Sequence, residues 1–146
     1  TRSRVPWASM QAPYAIRVLV LGGVLNLVLS FVLGWVLSMK RMKEPMAKHH
    51  WLLVAHTVSL QEGLMLLGLG FAMSFAVLGK TMAATGAWLV VLASAFQDFS
   101  GVVNWLKGTG DQFAEKSTGW LLASINAVLN TAGLAIIAYG VLRGVL

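Results

Sequence analysis

Four long apolar stretches separated by short polar breaks fill most of the chain, at roughly residues 16–39, 51–78, 82–106 and 120–142. A helix needs about 20 mostly apolar residues to cross the hydrocarbon core of a bilayer, and each stretch is long enough. Backbone groups in lipid must find their hydrogen bonds within the segment, so spans of this length are read as helices. The predicted fold class is therefore all-α integral membrane, a four-transmembrane-helix bundle, with residues 1–146 as a single domain. Residues 1–15 contain Pro6, Trp7 and Pro13 and are expected to form an arm at the interface. Arg2, Arg4 and Arg17 precede the first apolar run in the manner of a signal peptide. That run exceeds an h-region of about 7–15 residues, and no small-x-small cleavage pattern closes it before Lys40, so it is expected to be retained.

The polar residues inside these stretches carry more information than the apolar ones. His56 and Glu62 are the only ionisable residues in the second stretch, and Asp98 lies in the third. On insertion scales such groups cost about 2.5–3.5 kcal/mol at membrane depth, and those that persist generally face protein. Asn26, Ser30 and Gly34 recur every four residues along the first helix, a small-and-polar stripe suited to packing against a neighbour. Gln97, Asp98, Gly101 and Asn104 mark the third helix, and Ser124, Asn126, Asn130 and Gly133 the fourth. Trp35, Trp51, Trp105 and Trp120 all fall near the ends facing the first and third loops, forming an aromatic belt on that side.

Composition agrees with the pattern: 58% of residues are hydrophobic and 11% charged, with a net charge of +6. In a soluble protein that charge would suggest nucleic acid. Here the basic residues flank membrane segments, which points to the lipid bilayer and its anionic headgroups instead. Six Lys and Arg lie on the side of the first and third loops and five on the other, and the dense first loop tips the expectation towards both termini outside. The bacterial inner membrane is the expected location. The chain has no cysteine, which excludes disulfides, thiolate nucleophiles, iron–sulfur clusters and cysteine-ligated haem.

Alternating helices place several polar groups at similar depths. At about 1.5 Å per residue, His56 lies about 8 Å in from Trp51, Asp98 about 10 Å in from Trp105, and Asn126 about 9 Å in from Trp120. A second tier holds Glu62 at about 16 Å, Asn130 at about 15 Å, and Ser30 at about 13 Å from Met39. Such layering predicts a polar pocket opening towards the first loop. His56 and Glu62 are six residues apart, about 120° around the helix, so they need not share it. His56 is read as an interhelical hydrogen-bonding group, with Asp98 as one partner, or as a metal ligand or proton carrier. Glu62 is read as a structural donor or an acid. Asp98 pairs with His56 or lines the pocket, and Asn126 and Asn130 bridge helices or line the pocket. His49 and His50 sit in the basic loop and are expected to be solvated. His49 is about 10 Å along the axis from His56, too far to share one metal without another ligand between them. The seven methionines are read as apolar filler.

Ala55-His56-Thr57-Val58-Ser59-Leu60-Gln61-Glu62-Gly63 resembles the His-x5-Asn-Gly signature of a family of small four-helix membrane enzymes. That family contains hydroxylaminobenzene mutase and styrene oxide isomerase. Gly101-Val102-Val103-Asn104-Trp105-Leu106 is similar to the mutases' Tyr-x-Asn-Trp-Leu segment. Together the likeness covers about residues 40–106. It implies that His56 is the axial ligand of a haem b whose ferric iron acts as a Lewis acid, in a trimeric homo-oligomer. Asn104, which falls in that segment, is expected to line the pocket with Asn126 and Asn130. Glu62 stands where the family has asparagine and Val102 where the mutases have tyrosine, a substrate-side group in the isomerases.

The leading expectation is thus a membrane-embedded isomerase or mutase acting on a small apolar substrate, with Glu62 and Asp98 as its acid–base groups. The competing expectation is a non-catalytic accessory subunit of a larger membrane enzyme or respiratory complex. A proton-coupled transporter built on Glu62 is a third, less favoured because small four-helix exporters carry their membrane glutamate in the first helix.

Overall fold

The computed structural model describes residues 13–45 and 48–146 and folds as an all-α bundle of four helices, each long and apolar enough to cross a membrane. They are α1 (Pro13–Lys43), α2 (His50–Ala72), α3 (Lys80–Lys107) and α4 (Thr118–Val145). Up to residue 12, the arm expected over residues 1–15 lies outside the described residues, while Pro13–Ala15 already belong to α1. Proline suits that place, because the first turn needs no intrahelical N–H bond. At its other end α1 runs past Met39 and finishes on Lys40, Arg41 and Lys43, cations that complement the helix C-terminus.

The second helix is shorter than its apolar run. It ends at Ala72, tightens into a 3₁₀ turn over Met73–Phe75, and turns extended at Ala76. No proline causes this; the strap is captured by α4. The Val77 N–H donates to the Gly140 carbonyl at 2.9 Å, and Leu78 is buried over Gly140. A Cβ at Gly140 would fall on the Leu78 side chain, and one at Gly144 on the Phe75 carbonyl oxygen. Two glycines on α4 therefore make the seat in which α2 stops.

Helix α1 packs along α2, and α3 along α4, while α3 also touches α2 and α1. Helix α4 contacts mainly α3 and the 3₁₀ turn, so it lies outside a three-helix core rather than closing a square. Lipid offers no hydrophobic drive between helices, and close packing of small residues takes its place. Gly23 of α1 meets Gly63 of α2, where a Cβ on either would lie 3.0 Å from the other's carbonyl oxygen. Gly101 of α3 rides on the Ala55 backbone of α2, and Gly133 of α4 on Val90 of α3. One apolar core lies towards the termini around Leu19, Leu66, Val90 and Ile137, and another lies near the first loop around Leu33, Leu37 and Leu52. A polar layer separates them.

Candidate functional site

Three hydrogen-bonded pairs, one for each pair of core helices, build that layer. Between α1 and α2, the Ser30 hydroxyl donates to the His56 carbonyl at 2.9 Å, and His56 Nδ1 lies 2.8 Å from the Ser30 carbonyl. A carbonyl only accepts, so Nδ1 carries the hydrogen and Nε2 is the ring's acceptor nitrogen. Between α2 and α3, the Ser59 hydroxyl donates to Asp98 Oδ1 at 2.6 Å. Between α1 and α3, the Asn26 amide donates to Ser94 Oγ at 3.2 Å. Interhelical bonds of this kind contribute about 0.6–2 kcal/mol each in membranes. The three together fix how the core helices are rotated against one another.

A groove between α1 and α3 opens from this layer to the surface that lipid would cover. Its volume is about 360 Å³, within the range of small-molecule sites. Leu25 and Phe99, largely exposed, flank its mouth; Leu29, Leu33, Ala95 and Val102 line its walls. Asn26, Ser94 and Asp98, all buried, supply its polar floor. Asp98 is 5% exposed, and only Ser59 among the described residues donates to it. It has one oxygen anchored and the other available, the arrangement that proton transfer to a bound molecule needs.

The polar residues anticipated from the sequence do not all meet there. His56 points the other way from α3: it pairs with Ser30 rather than Asp98, and its ring closes on Gly34, where a Cβ would lie 2.9 Å from Cε1. Glu62 is half-buried within electrostatic reach of Asp98, but it does not line the groove, and its buried Oε2 has no donor among the described residues. Asn126 crosses to Gln97 at 2.8 Å on the α4 side of α3, and Asn130 one turn below leaves Oδ1 without a partner among the described residues. Asn104, expected to line the pocket, is fully buried beneath the loop between α3 and α4 instead. There it donates to Gln112 at 2.9 Å and accepts from Ser117 at 2.8 Å. Ser117 in turn caps α4 through the Trp120 N–H. His50 is exposed and stacks edge-on with Trp51, while His49 is half-buried.

Ser59 and Ser94 are the groove and layer residues whose role pattern reading passed over, while Asn26 was read only as part of a packing stripe. A signal existed for both serines: Ser59 follows His56 by three residues and Ser94 precedes Asp98 by four, so each shares a helix face with an ionisable group. Among the described residues no three His, Asp or Glu side chains converge on a metal-sized space. Comparison with protein families, with curated proteins and with solved structures finds no match for this chain.

Proposed function

We propose that the protein is a membrane-embedded isomerase or mutase that admits a small apolar substrate from lipid into the α1/α3 groove and moves a proton through Asp98. The observation that carries this reading is the buried carboxyl at the floor of an apolar, lipid-facing groove. A charged group is costly at this depth, and Ser59 anchors only one of its oxygens. Intramolecular rearrangement suits such a site: Asp98 gives a proton to one atom of the substrate and recovers one from another, so elemental composition is unchanged. Low water content keeps reactive intermediates from hydrolysis.

Haem b belongs to the proposal as its cofactor, in the oligomer that the family resemblance implies. His56 would hold the haem iron through Nε2, because the Ser30 carbonyl engages Nδ1–H and leaves Nε2 as the free ring nitrogen. When bound, ferric haem supplies Lewis-acid polarisation of a substrate oxygen or nitrogen. His56 does not line the groove, so its role is separate from that of Asp98. Protein purified from native membranes is expected to give a pyridine-haemochrome spectrum that the His56→Ala variant loses. A wild-type preparation with no Soret band contradicts the cofactor.

The catalytic reading is tested by giving purified protein an aryl epoxide and, separately, an aryl hydroxylamine, and looking by chromatography for a new product of unchanged mass. Enzyme-dependent isomerisation of either is the expected result. No same-mass product from either class counts against the proposal.

A further inference from the structure

The start of α2 and the end of α3 meet at the membrane edge, where Lys48, His49, His50, Trp51 and Trp105 line a pocket of about 350 Å³ together with residues 108–110. We infer that this pocket binds the phosphate of an anionic phospholipid at headgroup level. It shares no lining residue with the α1/α3 groove, so the inference is independent of the catalytic reading.

Two helix ends and a loop are tied together to make the walls. The Trp51 indole N–H donates to the Thr109 carbonyl, and Thr109 is buried, so the loop after α3 is held against the first turn of α2. His50 stacks edge-on against the Trp51 ring, with 5.2 Å between centroids. The loop's backbone donors are already committed: the Gly108 and Thr109 N–H groups to the Trp105 and Asn104 carbonyls, and that of Gly110 to Glu115 Oε1. Recognition is therefore left to side chains, and of these Lys48 and His50 are exposed and within reach of a ligand.

The charge is of one sign. No Asp or Glu lines the pocket. Of the acids on this side of the bundle, Asp111 and Glu115 turn onto N–H groups of their own loop, and Glu44 lines a separate hollow with Lys40 and Lys43. An ammonium group offers three donors and no acceptor, and its bonds to phosphate oxygens are charge-assisted. The first turn of α2, which no side chain caps, adds the positive end of its dipole. Two indole rings make the rest of the wall. Trp51 is the second residue of α2 and Trp105 the third from last of α3, positions where a spanning helix leaves hydrocarbon for headgroups. A cationic pocket walled by indole at that level fits a lipid, whose phosphate meets Lys48 while its glycerol and first chain carbons meet the rings.

The full chain in mild detergent is titrated with phosphatidylglycerol or with phosphatidylcholine, and bound lipids are counted by native mass spectrometry. Phosphatidylcholine carries the same phosphate beside a cation of its own, so the first phosphatidylglycerol is expected to bind about fivefold more tightly. Lys48→Gln is expected to lower that affinity about fivefold, the weight of one lysine close to anionic lipid. Lys116→Gln removes an equal charge from an exposed position on the same side but outside the pocket, and should leave the affinity unchanged. Lys48 is exposed, so its replacement leaves the fold intact, which the charge states in the same spectra check. Glycerol 3-phosphate, a headgroup phosphate without chains, is expected not to bind at concentrations that saturate the protein with lipid. Equal affinity for the two lipids, or an equal loss in the two variants, overturns the pocket as a lipid site. Binding of glycerol 3-phosphate as tight as that of phosphatidylglycerol overturns the lipid as its occupant.

Discussion

Replacing Asp98 with asparagine is expected to slow isomerisation of a groove substrate by about 10²–10⁴-fold, the range over which a positioned acid–base group acts. Asparagine has nearly the same shape, and its carbonyl oxygen can still accept from Ser59, which now donates to Asp98 Oδ1 at 2.6 Å. The α2–α3 link therefore survives, while the proton-exchanging oxygen is gone. Ser59→Ala provides the contrast. It removes the anchor and keeps the carboxyl, so the rate should fall by less, through misplacement of Asp98. Initial rates, read beside melting temperature in the same detergent, separate the two effects. A variant with asparagine at position 98 that turns over at the wild-type rate would remove Asp98 from the chemistry.

A large stability loss is expected at Gly119. A Cβ there would fall on the Asn104 carboxamide, which is fully buried. Asn104 ties α3 to the following loop through Gln112 and Ser117, and Ser117 caps α4. Moving it overpacks the helix junction and strands buried polar atoms. Each effect costs about 1–3 kcal/mol, so Gly119→Ala should lose about 3 kcal/mol. Ser100 also donates to the Gly119 carbonyl at 2.6 Å, so the strain reaches the α3–α4 contact itself. Gly68→Ala is the control: no neighbouring atom lies within 4 Å of the added Cβ, so the fold should lose nothing. Unfolding of both variants by graded denaturing detergent measures the difference. Equal stability of the two would contradict the role given to Asn104.

The number and nature of the helices were legible because lipid imposes length and apolarity on every crossing. The end of α2 was not. The apolar run continues to Leu78, and only the bond from Val77 to Gly140 and the seat formed by Gly140 and Gly144 stop the helix early. Polar residues at membrane depth were readable as a layer, but their pairing was not. Depth counted from helix ends sets Ser30 about one turn below His56, yet the two are bonded. Helix α1 reaches Lys43, thirteen residues beyond Ser30, whereas α2 begins six residues before His56, so α1 protrudes by about 10 Å. Stagger of that kind, and the rotation that turns His56 to α1 and Asp98 to Ser59, go with the close glycine contacts and the interhelical hydrogen bonds, neither of which depth reveals. Nor does depth reveal that α4 lies outside the core, which puts Asn126 against Gln97 on the far side of α3 from the groove. Asn26 was visible as part of a packing stripe; its bonds to Gly22 and Ser94 were not, because they depend on which atoms the folded helices bring to its amide.

The central claim is that chemistry takes place in the α1/α3 groove, and Ala95 offers the most direct access to it. This small residue lines the groove without joining the hydrogen bonds of the floor. Ala95→Trp fills the space while leaving Asn26, Ser94 and Asp98 as they are. The measurement is the rate of same-mass product formation from an aryl epoxide or aryl hydroxylamine, whichever the wild type converts, by wild-type and filled-groove proteins of matched melting temperature. The account predicts turnover by the wild type and at least a tenfold loss in the variant, about 1.4 kcal/mol of barrier. Undiminished turnover with the groove filled would contradict it.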